Sequence, residues 1–99
     1  MKSIIQDTKE CYLCGSSQEY GMNRIEDHHI FFGIANRKKS EKYGLKVWLC
    51  GNTCHRNGPN SPHRNKVIDN MLKAKAQQVF EITYGDREDF IKEFGKSYL

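Results

Sequence analysis

Every cysteine and every histidine of this 99-residue chain falls inside one 53-residue window, Cys11 to His63. Cys11-x-x-Cys14 comes first, then the doublet His28-His29, then Cys50-x-x-x-Cys54 with His55 directly behind it, then His63. Two cysteine pairs, one on each side of the doublet, constrain the fold strongly. If they share an ion, the start of the chain must return to its middle. A two-residue gap lets both Cys11 and Cys14 reach one zinc ion, and a three-residue gap places Cys50 and Cys54 on one face of a helical turn. Two disulfides, or a histidine replacing one thiol of the first pair, are the alternatives. Metal is preferred because residues 1–7 include no apolar stretch of signal-peptide length, so export is not expected, and in a reducing compartment paired cysteines read as metal binding.

The size makes a staple useful. Ninety-nine residues suit one domain near the lower limit of what a single core supports, and 28% of them are charged against 37% hydrophobic. No stretch is long and apolar enough to cross a membrane. The net charge of +4 is unevenly spread. Residues 37–66 carry eight basic side chains against the single acid Glu41, a net +7, while the rest nets −3. A positive field lying over the histidines and the second cysteine pair suits a polyanion such as nucleic acid.

The pattern predicts an α+β chain. Residues 1–10 read as a loose lead-in, Cys11 to Gly15 as a knuckle with Gly15 at positive φ, and residues 16–23 as turn-like. Strands are expected over 24–32 and 45–49, with a loop or short helix at 34–44 stopped by Gly44. Residues 51–57 read as the first turns of a short helix, and 57–62 as a turn. Ser61-Pro62 reads as the start of a helix to about Tyr84, with Ile68, Met71, Leu72, Ala76, Val79 and Ile82 facing the core and Gly85 as its C-cap. Asp86 then starts a short helix burying Phe90, Ile91 and Phe94.

The segments Glu26-Asp27-His28-His29-Ile30 and Leu49-Cys50-Gly51-Asn52-Thr53-Cys54-His55 together resemble the HNH endonucleases of the ββα-metal, or His-Me finger, fold. Residues 28–33 and 43–50 also resemble small HNH proteins of phages and prophages. The resemblance implies a single domain over 1–99, with a zinc-framed ββα core at about 11–65, a zinc knuckle, and C-terminal helices over about 62–95. It implies a metal-dependent DNA endonuclease or nickase. His29 would be the general base. His28, His55 and His63 would hold a catalytic divalent cation such as Mg²⁺, Mn²⁺, Ni²⁺ or Zn²⁺, while Cys11, Cys14, Cys50 and Cys54 would hold structural Zn²⁺. Arg37, Lys38, Lys39, Arg56 and Arg64 are the expected DNA contacts. The implied setting is the cytoplasm of a bacterial host, with DNA as partner and a second copy or a phage-encoded protein as further partners. The alternative is a non-catalytic zinc module that binds nucleic acid or a phage protein.

Two points stay open at this level. Asp27-His28-His29 offers two registers, with Asp27 as ligand and His28 as base, or His28 as ligand and His29 as base. The family's middle asparagine has no counterpart at Gly44 or Leu45, which leaves Asn36 or Asn52 to hold the loop behind the base.

Overall fold

A computed structural model describes residues 1–19, 21 and 23–99; the remainder of the turn expected at 16–23 lies outside the described residues. The elements run β1 (Ile25–His29), α1 (Ile34–Tyr43), β2 (Lys46–Cys50), a π-helical turn over Gly51–Arg56, α2 (Lys66–Thr83) and α3 (Arg87–Phe94). The class is α+β, as expected. No helix among the described residues is long and apolar enough to cross a membrane.

β1 and β2 form an antiparallel ribbon in which Ile25 faces Cys50 and His29 faces Lys46. Side chains alternate along a strand, so Glu26 and His28 share one face with Val47 and Leu49, while Asp27 and His29 share the other with Lys46 and Trp48. This alternation divides the chemistry of the molecule. The outer edge of β2 is covered by the first residues of the chain. Ser3 Oγ donates to Lys46 O at 2.5 Å, Trp48 N to Gln6 Oε1 at 2.9 Å, and Tyr12 N to Trp48 O at 2.8 Å. The expected loose lead-in is therefore docked, although it has no helix or strand of its own, and it blunts an edge that would otherwise offer free backbone groups.

The strand expected to reach Phe32 stops at His29. Ile30 and Phe31 turn inward and are fully buried, and the Phe31 backbone bonds to Ser40 instead of to a strand. Residues 34–43 are a helix closed by Gly44 in the left-handed conformation, the helical one of the two readings.

The long helix starts later than Ser61-Pro62 suggests. Asn65 is its N-cap, and its side chain accepts from Val67 N and Ile68 N. Residues 61–64 form a separate tight turn, closed by Arg64 N and Asn65 N donating to Ser61 O. Its buried face is Asp69, Leu72, Ala76, Gln77 and Phe80. Met71 is 48% exposed and Ile82 86% exposed, so the expected apolar stripe is rotated. The aromatic core explains the rotation: Phe80 lies 5.3 Å from Tyr43 and 5.4 Å from Phe90, ring centre to ring centre. A buried phenylalanine outweighs an exposed isoleucine in area removed from water. Phe90 and Phe94 are buried as expected, but Ile91 is 38% exposed. Asp86 and Asp89 form a reciprocal capping box at the start of α3. The C-cap of the long helix is Tyr84 rather than the expected Gly85; a side chain at Gly85 would strike the Asp89 carboxylate at 2.4 Å.

Candidate metal centres

The cysteines come together as the spacing requires. Gly15 at φ 78 turns the knuckle back, so that Gly15 N reaches Cys11 O at 2.8 Å and Cys14 N lies 3.4 Å from Cys11 Sγ. Cys50 ends β2, and the π-helical turn carries Cys54. The first amides of that turn are satisfied from outside: Asn52 N and Thr53 N both donate to Asn23 Oδ1. The four sulfurs lie within 4.8 Å of one another. Cys14 Sγ and Cys50 Sγ are 3.5 Å apart, far beyond the ~2.05 Å of a disulfide and close to the roughly 3.8 Å edge of a tetrahedron built on ~2.3 Å zinc–sulfur bonds. All four cysteines are free. The group can therefore hold a metal ion such as zinc. Burial would raise the Cys11 thiol, but backbone amides of Cys14, Cys50 and Leu13 bring it down to about 7. Cys50 and Cys54 are pushed up, first by burial and then by neighbouring thiols. A divalent cation is the charge that would let all four ionise together.

A second cluster lies on the Glu26–His28 face of the ribbon. His28 from β1, His55 from the π-helical turn and His63 from the turn before α2 place one ring nitrogen each within 4.8 Å of one another. His55 and His63 each lie 5.1 Å from the His28 ring, centre to centre. His55 Nε2 and His63 Nε2 are 3.3 Å apart, close to the roughly 3.3 Å expected of two nitrogens on one ion at ~2.05 Å. His28 is 1% exposed, and its Nε2 has no hydrogen-bond partner among the described residues. Burial, then the neighbouring His55 and His63, push its pKa down to about 3, so it is a neutral imidazole with a free lone pair. A buried, neutral, unpartnered nitrogen facing two more imidazoles fits a cation. Two glycines make the approach possible. A side chain on Gly51 would strike the Glu26 carboxylate at 2.7 Å, and one on Gly58 would fall 1.6 Å from Thr53 O, blocking the turn that returns His63.

Glu26 holds this cluster from behind. Its Oε1 lies 3.0 Å from His55 Nδ1 and 2.6 Å from Arg56, whose guanidinium also reaches Oε2 at 2.8 Å. Arg56, then His55, keep the Glu26 carboxyl below its ordinary value. A carboxylate on Nδ1 fixes the tautomer that leaves Nε2 free to ligate.

His29 points to the opposite face. Its Nε2 lies 2.8 Å from Glu41 Oε1, and Lys46 Nζ reaches the same carboxylate at 3.1 Å. The Met1 amine, His29 and Lys46 together hold Glu41 down to about 2. Here His29 lines a groove of about 700 Å³ with Gly33, Ile34, Arg37, Lys38 and Glu41. Asp27 lies on this same face, 3.7 Å from Lys46, so it is not grouped with the three histidines.

Of the expected DNA contacts, only Arg37 and Lys38 share a groove with His29. Lys39 Nζ donates to Glu93 O, Arg56 is held by Glu26, and Arg64 donates to Asn57 O at 2.9 Å. The loop behind the histidine doublet is held by neither Asn36 nor Asn52. Fully buried Ser40 accepts from Phe31 N at 2.9 Å and donates to Phe31 O at 3.0 Å. Glu26, Ser40 and Glu41 were not singled out by sequence. Only Glu26 carried a usable signal, since two residues along a strand from His28 is the same face. No known protein family, curated protein or solved structure matches this chain.

Proposed function

We propose that the chain is a metal-dependent DNA endonuclease or nickase of the HNH kind, with β1, β2 and the Gly51–Arg56 turn as a ββα-metal core. One observation carries this reading. Histidines from three separate elements converge at ligating distance around a buried, unpartnered His28 nitrogen, and the next residue along the strand is a groove-lining histidine. Three donors leave coordination positions for substrate, the arrangement expected of a site that does chemistry, whereas four thiols close a structural one.

The cation would supply Lewis-acid charge for the crowded phosphorus and the leaving 3′ oxygen. His29 would take a proton from the attacking water. Its Nε2 is occupied by Glu41, so with Nε2–H donated to that carboxylate the free lone pair is on Nδ1. Glu41 then fixes the tautomer and stabilises the imidazolium that forms. Arg37 and Lys38, on the same groove wall, would hold flanking phosphates without reading sequence.

The test is supercoiled plasmid with Mg²⁺, Mn²⁺ or Ni²⁺. Wild-type protein is expected to nick it. His29→Ala should lose at least about 100-fold of that activity while keeping its zinc. Absence of nicking with all three metals, by folded and zinc-loaded protein, overturns the reading.

A second reading, a non-catalytic zinc module for nucleic acid or a phage protein, is favoured by one feature. His29 lies across the strand from the three-histidine cluster, engaged by Glu41. Metal content separates the two: one zinc per chain fits the module, and one zinc plus a weaker second cation fits the enzyme.

A further inference from the structure

The chain's single tryptophan, Trp48, lies on the face of the ribbon opposite the three-histidine cluster. It is half-buried, directly across from Asp27, and it shares that face with His29 and Lys46. Its backbone is held on both sides: Trp48 N donates to Gln6 Oε1 at 2.9 Å, and Trp48 O accepts from Tyr12 N at 2.8 Å. The indole therefore stands on a well-anchored strand. Beside it is a hollow of about 410 Å³, whose walls include Asp27, Lys46 and, from the first residues of the chain, Lys2, Asp7 and Lys9. That volume is within the range of small-ligand sites.

The charges around the hollow have different duties. Lys46 is buried, and its ammonium is engaged by two carboxylates, Glu41 at 3.1 Å and Asp27 at 3.7 Å. Lys2 and Lys9 are exposed at the rim. Lys9 Nζ stands over the Trp48 ring, 5.3 Å from its centre, while its side chain is 53% exposed and pairs with Glu19 at 3.6 Å. One face of the indole is thus open to a partner arriving from solvent. An ammonium on an exposed ring is held more weakly than a stacked base. A base can displace it and free Lys9 for a phosphate. The chemistry here suits a nucleotide: the ring stacks the base, the lysines neutralise phosphate, and Asp27 accepts from an exocyclic amine. An acidic peptide would meet Asp7 and Asp27 as like charges and make no use of the indole.

In a duplex both faces of a base are stacked, and a side chain reaches them only when the base leaves the helix. The ligand that fits is therefore an unpaired base. We propose that the hollow binds one nucleotide of single-stranded DNA, with its base on Trp48 and its flanking phosphates on Lys2 and Lys9. The hollow meets the His29 groove at one ion pair: Lys46 lines the first, Glu41 lines the second, and they lie 3.1 Å apart. A strand leaving Trp48 in that direction passes His29, so the substrate of the proposed nuclease is DNA with a single-stranded segment. That last step rests on the nuclease reading; the binding does not.

The experiment follows Trp48 fluorescence in zinc-loaded protein as an oligomer of about 10 deoxycytidines is added, a length within single-strand site sizes. Mg²⁺, Mn²⁺ and Ni²⁺ are left out so that no strand is cut. The single strand should quench Trp48 saturably, and the same oligomer annealed to its complement should quench it far less. By anisotropy of a labelled strand, Trp48→Ala should weaken binding by about 5- to 150-fold, and Trp48→Phe should keep most of it. Replacing Lys2 and Lys9 together by Ala should lower the slope of log affinity against log salt by about 1.4, roughly 0.7 for each phosphate contact. Absence of binding, binding that leaves Trp48 emission unchanged, equal quenching by the duplex, or an unchanged salt slope overturns the inference. So does equal quenching by polyglutamate, which would point to an acidic protein partner. Wild-type emission and the lysine variant decide the matter if Trp48→Ala does not fold. If the oligomer quenches Trp48 and plasmid is not nicked with any metal, the site stands and the nuclease reading falls. If plasmid is nicked and the oligomer leaves Trp48 unchanged, only the site falls.

Discussion

The cysteine cluster and the histidine cluster are both groups of donors within 4.8 Å, yet they are built in different ways. The cysteines come as two short-range pairs, and their neighbours are other thiols and backbone amides. The histidines come singly from β1, a π-helical turn and a proline-bounded turn, and the groups around them include the Glu26 carboxylate and the Phe32 ring. A closed set of four anionic donors needs nothing more than the ion. An open set of three neutral donors needs orientation from outside. Under the proposed function, that contrast separates a part that holds the fold from a part arranged to act. It can be broken in order of expected effect.

The largest effect should come from the cysteines. The Cys11–Cys14 knuckle and the segment before it are tied to β2 by few hydrogen bonds, so an ion shared with Cys50 and Cys54 would account for much of their stability. Stripping metal with a strong chelator, or Cys50→Ser, should lower stability by several kcal/mol, on the order expected when metal binding is coupled to folding. Thermal melts with parallel zinc-release measurements check this. A chelated protein with an unchanged melting temperature and no released zinc would remove the clamp from the comparison.

Next comes His28→Ala. The substitution removes a buried nitrogen that has no partner, so the metal-free fold should lose only packing, about 1–3 kcal/mol. The second cation should bind more than about 100-fold more weakly, with the cysteine site still loaded. Calorimetric titration against both sites distinguishes these. Equal loss at both sites would mean that the clusters are one coupled unit. Glu26→Gln should act in the same direction but less, by about 10-fold, since it weakens the grip on His55 Nδ1 without removing a donor.

How far the sequence reaches follows the same division. Pairs at short spacing are visible because the chain itself enforces proximity, and the thiol cluster follows in that way from Cys11-x-x-Cys14 and Cys50-x-x-x-Cys54. The ribbon, the helical C-terminal half and the α+β class follow from β-formers, caps and periodicity. The supporting groups were not legible. Ser40 reaches Phe31 across nine residues, Glu41 reaches His29 across twelve, and Glu26 reaches His55 across 29. Each is a polar residue of a common type whose meaning depends on tertiary contact. The face of α2 differs from its periodicity for a related reason. Periodicity cannot decide between Ile82 and Phe80 until the aromatic rings of α3 are in place.

The smallest effect concerns the other side of β1, and its sign can be worked out. The Met1 amine, His29 and Lys46 hold the Glu41 carboxyl down to about 2, below its ordinary 4.5. A carboxyl depressed on folding contributes stability that is fully present above the unfolded value and lost as pH falls through the folded one. The window therefore runs from about pH 5 down to about pH 2. The Glu41 side chain is 42% exposed, so solvent screening reduces the contribution to about 1 kcal/mol or less. Glu41→Gln should lower stability by about that amount above pH 6 and converge with wild type near pH 2, so that the acid limb of its stability–pH curve is flatter. It should also affect plasmid nicking, because His29 would lose the acceptor that fixes its tautomer. A variant with a flattened acid limb and wild-type nicking would show that Glu41 supports the fold on this face without serving His29. Loss of nicking with an unchanged acid limb would show the reverse, and would place His29 and Glu41 on the acting side of the comparison with the three histidines.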